Sequence, residues 1–164
     1  MGNINREVTF VFSCLSRYYS FLSITKRDNE AIIHRLAIYG NSSNIDSVDI
    51  NNAIREYRKS VDKKLKFVLI DKNELIQDFI VLNGHKDELA PYMYKFNIYK
   101  KQFENLKKNY QRYVDLIAVK KELAERKNNL VLELAYKRAL VPINEEYELI
   151  SSIESRINML LPNV

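Results

Sequence analysis

Eight positions taken in alternating steps of four and three residues, Tyr92, Phe96, Tyr99, Phe103, Leu106, Tyr110, Tyr113 and Ile117, are all apolar or aromatic. A recurrence of 3.5 residues sustained over that length puts all eight on one stripe of a helix and on both faces of a strand, so it selects the helix. The stripe must be covered, and the rest of the chain favours helices to cover it. Only 3 Gly and 3 Pro occur in 164 residues, too few for the turns of an all-β sandwich or barrel. Hydrophobic residues at 46% against 29% charged are ordinary for a globular domain and argue against a wholly disordered chain. The expected fold class is all-α, a bundle of about five to six helices. One long, partly coiled-coil-like helix is expected near 88–140, with a C-terminal helix folding back on it. By length the whole of 1–164 reads as a single domain, with N-terminal helices over 1–84, the long helix over 87–140 and the last helix over 142–161.

The other helices are read from spacing and caps. Val8, Val11, Leu15, Tyr18 and Leu22 predict a helix over 4–25. Asp28 reads as the N-cap of a second, short helix through Tyr39, with Gly40 in the position after its end and a loop over 40–44. Asp46 or Ser47 would cap a helix carrying Ile50, Ile54, Tyr57, Val61, Leu65 and Val68, with a break near Asp71. The apolar run Phe67–Ile70 has no second strand-like run to pair with, so helix is preferred there. Leu75, Phe79 and Leu82 continue the stripe to Gly84. Within the long helix, Lys127-Asn128-Asn129 is the weakest point. Beyond Ile117 the stripe is expected to slip phase to Leu116, Val119, Leu123, Leu130 and Leu134, like a stutter. Pro142 is expected to open the last helix, and Pro162 to stop it.

The aromatic seam admits two uses. It packs inside the chain's own core, or it meets a protein partner or a second copy. Tyrosine at four of the eight positions is bulky for a coiled-coil seam, and each buried hydroxyl needs a partner. With Phe96 and Phe103 at position a, Lys100 and Lys107 fall at e and Lys95 at g, so self-pairing opposes lysines in either orientation. An acidic partner suits that surface better. The acidic last helix (Glu145, Glu146, Glu148, Glu154) is expected to fold back on the end of the long helix without reaching the lysines near position 100.

Net charge is +5, and it is local: ten basic and four acidic residues lie between Lys95 and Lys127. Lys100, Lys101, Lys107, Lys108, Arg112, Lys120 and Lys121 are either a solvated face or contacts for nucleic-acid phosphate or an acidic partner. The single Cys14 forms no intrachain disulfide, and no leader or membrane span is legible, so a cytoplasmic protein without membrane insertion is expected.

No catalytic, metal or cofactor constellation is legible, and neither a cofactor nor a metal is expected. One Cys and two His build no zinc site, and a Gly-x-Ser-x-Gly elbow and phosphate-cradling glycine loops are absent. Arg27-Asp28 followed by His34 in the spacing Arg-Asp-x-x-x-x-x-His resembles the active-site signature of HEPN ribonucleases. That resemblance implies an α-bundle with a site built across a dimer, His34 as acid/base and Arg27 stabilising charge on phosphate. The leading expectation is a non-catalytic helical protein–protein interaction module, an adaptor, chaperone or regulatory subunit, presenting an aromatic and basic helix face. A sequence-nonspecific nucleic-acid binder using the basic stripe 95–127 is the first alternative, and the ribonuclease the second.

Overall fold

A computed structural model describes residues 3–41, 47–69 and 72–161. Five α-helices and one 3-10 segment account for nearly all of them, and no strand occurs among the described residues. They are α1 (Asn3–Asn41), α2 (Ser47–Leu69), α3 (Lys72–Asn83), the 3-10 segment Lys86–Tyr92, α4 (Met93–Arg126) and α5 (Leu130–Leu160). The all-α bundle read from the sequence is therefore the observed architecture. Phe67–Leu69 are helical, as preferred. The expected loop after Gly40, the Asp46 cap, the break near Asp71 and the stop at Pro162 lie outside the described residues.

The side-chain pairs give the topology. α1 meets α4 through Phe12–Phe96, Tyr19–Phe103, Thr25–Tyr110 and Glu30–Tyr113. Both numbers rise together, so these two helices run parallel. α2 returns along α1, with Lys64 Nζ 3.3 Å from Asp28 Oδ2. α3 continues that leg toward the start of α1, where the two line a common groove. α5 runs back along α4 in the most extensive helix pairing of the molecule. Around the bundle the order is α1, then α2 with α3, then α5, then α4, with α1 and α5 also touching across the centre.

Three expected boundaries change. First, α1 is one helix of 39 residues rather than two, and Asp28 caps nothing: its carboxylate pairs with Lys64. The reason is register. Val8, Val11, Leu15, Tyr18, Leu22, Thr25, Asn29, Ile32 and Leu36 keep an unbroken three–four spacing, and every one is buried. The two polar members hold core positions, and the Thr25 hydroxyl donates to the Leu22 carbonyl one turn back (3.2 Å), a bond compatible with helix. Gly40 accordingly falls inside the last turn.

Second, the expected long helix is three pieces. Residues 86–92, including Pro91, wind as 3-10 helix, and the break falls at the weak point 127–129. Asn128 adopts φ 54°, the left-handed conformation that asparagine tolerates better than most residues. The Asn129 side chain then accepts from the Leu132 backbone N–H at 3.2 Å and caps α5. Two asparagines do the turning that a glycine would otherwise do.

Third, Pro142 opens no helix. It lies inside α5, buried between Ala139 and Ile143, which are buried too. Burial of that face outweighs a lost backbone donor, because tertiary packing supplies most of the stability of a helix in a protein. An earlier start lets α5 reach farther along α4 than expected: Glu154 Oε1 lies 3.3 Å from Lys107 Nζ.

Candidate functional site

The aromatic seam of α4 faces inward. Phe96, Phe103, Leu106, Tyr110 and Ile117 are buried, and Tyr92, Tyr99 and Tyr113 are half-buried against the same core. The demand for hydroxyl partners is met from α1. Tyr92 donates to Asn5 Oδ1, Tyr113 to Glu30 Oε1, and Tyr110 to the Leu22 carbonyl at 2.9 Å. Tyr99 stacks on Phe12 with ring centroids 5.9 Å apart. This arrangement uses the seam for internal packing.

The phase of that seam does not slip. Ile117 and Ala124 continue it as buried residues, whereas Leu116 (41% exposed), Val119 (54%) and Leu123 (44%) stand outside. Leu116, Val119 and Leu123 instead form a second apolar row on α4, set about 100° round the helix from the first, and Leu130 and Leu134 stand exposed at the start of α5. The row extends backward on α4 in the same three–four spacing through Arg112, Asn109, Asn105 and Gln102. Its polar part borders α1 and its apolar part the end of the α4–α5 hairpin.

The polar part lines a groove. Ser23, Lys26 and Arg27 of α1 face Gln102, Asn105 and Asn109 of α4 across a cavity of about 360 Å³ floored by Tyr19 and Leu106. Glu30 also lines it, with its carboxylate taken by Tyr113. Lys101 and Arg112 stand exposed on the adjoining turns of α4, whereas the exposed Lys108 lines a separate cavity with Lys107, Tyr147 and Glu154 on the α5 side. The other expected basic contacts are placed elsewhere. Lys107 pairs with Glu154 across the α4–α5 boundary, on the far side of α4, and Lys100, Lys120 and Lys121 are half-buried. Lys95 sits 5.6 Å from the Phe12 ring centroid.

No family model matches the chain, and no curated protein and no solved structure matches it either. Function has to be argued from this surface and this core alone.

The core holds one polar cluster, fed by all four legs of the bundle. Thr25 Oγ1 and Tyr110 Oη lie 2.7 Å apart, and Asn29 Nδ2 donates to Glu146 Oε2 at 3.1 Å. Thr25, Asn29, Tyr110 and Glu146 are all at zero exposure, with the Tyr57 ring of α2 beside them. Burial pushes the Glu146 carboxyl up to about 7, and hydrogen bonds from Asn29, Tyr110 and Thr25 pull the other way without cancelling it. Burial likewise raises Tyr57 and Tyr110, and the Glu146 charge adds to both. Three buried atoms of the cluster have no partner among the described residues: Glu146 Oε1, Asn29 Oδ1 and Tyr57 Oη. In the sequence Glu146 reads as one of four acidic residues of the last helix. The signal that it is internal is its register, three residues after Ile143 and four before Ile150 on the buried stripe of α5.

The residues of the ribonuclease resemblance, Arg27 and His34, are both exposed on α1, two turns apart on one face, and Arg27 lines the groove. His85 is exposed and its Nδ1 lies 3.1 Å from Glu88 Oε1. Cys14 is buried and burial raises its thiol, which keeps it protonated and a poor nucleophile. Among the described residues no cluster of three or more metal-binding side chains exists, and no helix is long and apolar enough to cross a membrane.

Proposed function

We propose that the protein is a helical protein–protein interaction module whose contact face is the apolar end of the α4–α5 hairpin. The aromatic seam, the first choice on sequence grounds, is used internally, so the surface must come from elsewhere. The observation that carries the reading is the second row. Leu116, Val119 and Leu123 keep helical spacing, Leu130 and Leu134 follow across the turn, and all five stand exposed beside a fully packed core. Single exposed leucines need no explanation, but a periodic row on one helix face matches how a helix presents anchors to a partner. Lys120 and Lys127 flank the row, with Arg126 beside them paired to Glu122, and a partner with acidic residues around an apolar centre fits it.

A photo-reactive amino acid at position 119, with another at the exposed Lys63 of α2 as reference, tests the reading in the cell that makes the protein. The expected result is one discrete adduct from position 119 and none from position 63. Leu116→Gln with Leu123→Gln should abolish it while leaving the melting temperature unchanged. An adduct with the chain itself identifies a second copy as the partner. Equal labelling from both positions, or none from either, overturns the reading.

A further inference from the structure

We propose that the groove between α1 and α4 binds the backbone of a single-stranded nucleic acid, with Lys26, Arg27, Lys101 and Arg112 contacting phosphates. The inference does not depend on the interaction reading above, since it concerns the polar segment of the row and not its leucines.

Two observations distinguish this surface from an ordinary solvated face. First, Lys26 and Arg27 of α1 line the cavity, Lys101 and Arg112 stand exposed on the adjoining turns of α4, and none of the four has a carboxylate partner among the described residues. Elsewhere on the molecule Arg58, Lys64, Lys107 and Arg126 do have one. The one acidic group lining the groove, Glu30, accepts a hydrogen bond from Tyr113. Second, the surface between the cations is amide. Gln102, Asn105 and Asn109 each offer donors and an acceptor on one side chain, and none makes a side-chain hydrogen bond to another described residue.

The dimensions choose the ligand class. Positions 101 to 112 span about 16 Å along α4, too far for one phosphate and suited to several in a row. The amides lie where sugar hydroxyls or unpaired base edges would come between those phosphates. Tyr19 is the only aromatic ring in the groove, and it is half-buried with its edge against Phe103 (centroids 6.2 Å apart). Stacking therefore contributes little and electrostatics dominates, giving weak, salt-sensitive binding without strong sequence preference.

Fluorescence anisotropy with labelled single strands of about 20 nucleotides, DNA and RNA, across about 25 to 300 mM salt reads this directly. Four phosphate contacts predict that log affinity falls with log salt at a slope of about −3. Lys26→Gln with Arg27→Gln should weaken binding roughly tenfold at low salt and flatten the slope by about 1.4. Asn105→Ala with Asn109→Ala should weaken binding and leave the slope unchanged, because amides release no counterions. Lys63→Gln with Lys66→Gln, exposed on α2, should change neither. The RNA and DNA arms separate recognition of the 2′-hydroxyl from recognition of phosphate alone, and binding of either supports the proposal. Absence of binding at the lowest salt overturns it, as does equal weakening by the α2 variant. So does competition by polyglutamate as effective as by unlabelled strand, which would make an acidic protein the occupant. Binding of a duplex at least as tight as the single strand overturns it too.

Discussion

Glu146 is a carboxyl held where its charge is costly, and its titration should be visible in the stability of the whole bundle. Its pKa rises from 4.5 to about 7 on folding. Between those values the folded chain holds a proton that the unfolded chain has lost, so stability falls as pH rises through that window and levels off above it. A shift of that size corresponds to about 3 kcal/mol. Asp28, Tyr57 and Tyr110 are the titratable groups facing it from α1, α2 and α4, and none supplies a positive charge. Urea midpoints at pH 5 and pH 8 should show the loss in the wild type, and Glu146→Gln should remove most of it while stabilising the chain at pH 8. An unchanged pH slope in that variant would mean the carboxyl is not the source. Beside it, Tyr110→Phe removes the bonds to Thr25 and to the Leu22 carbonyl and should cost about 1 to 2 kcal/mol, read by the same denaturation. At the hairpin, Asn129→Ala should cost about 1 kcal/mol through loss of the α5 cap, while Asn128→Gly should be tolerated because glycine accepts the left-handed backbone.

The elements test the register of α4 in the plainest way, because neighbouring residues have opposite fates. Ile117 is fully buried and Leu116, one position earlier, is exposed. Ile117→Ala should cost about 2 to 5 kcal/mol, and Leu116→Ala less than about 1 kcal/mol. The reverse order of losses would restore the phase slip expected from sequence. Helix identity and the existence of the seam were legible because periodicity is a property of the chain alone, whereas the inward direction of the seam was not, because the residues that cover it come from other helices. What misled was chemistry at single positions on otherwise periodic stripes. Thr25, Asp28 and Asn29 look like a helix end, yet Thr25 and Asn29 occupy core positions and meet partners 85 and 117 residues away in sequence. Pro142 looks like a helix start, yet its ring is buried. Beyond Ile117 two apolar rows compete, and sequence does not say which one faces inward, because the deciding neighbour is another helix. The groove was half legible: the basic run on α4 stood out, but Lys26 and Arg27 meet Gln102, Asn105 and Asn109 across the groove only through the parallel pairing of α1 with α4.

At the scale of the molecule, three helices of 39, 34 and 31 residues are packed along stripes that repeat every seven residues. Stripes of that kind are nearly self-similar. Slide α5 by one heptad against α1 and leucines still meet isoleucines, with little change in buried apolar area. Within the core the polar cluster distinguishes one setting from the next, since a displaced Glu146 would leave Asn29 and face a leucine, stranding a carboxylate in hydrocarbon. The costly residue thus acts as a detent, an index mark that stops the rods at one offset. Replacing Asn29 with Leu and Glu146 with Leu together should raise the melting temperature and at the same time broaden the amide NMR spectrum as neighbouring offsets become populated. A sharp spectrum in that variant would place the index mark elsewhere. The chain gives up some stability for a fixed offset, and the groove assembled from α1 and α4 exists only while that offset holds.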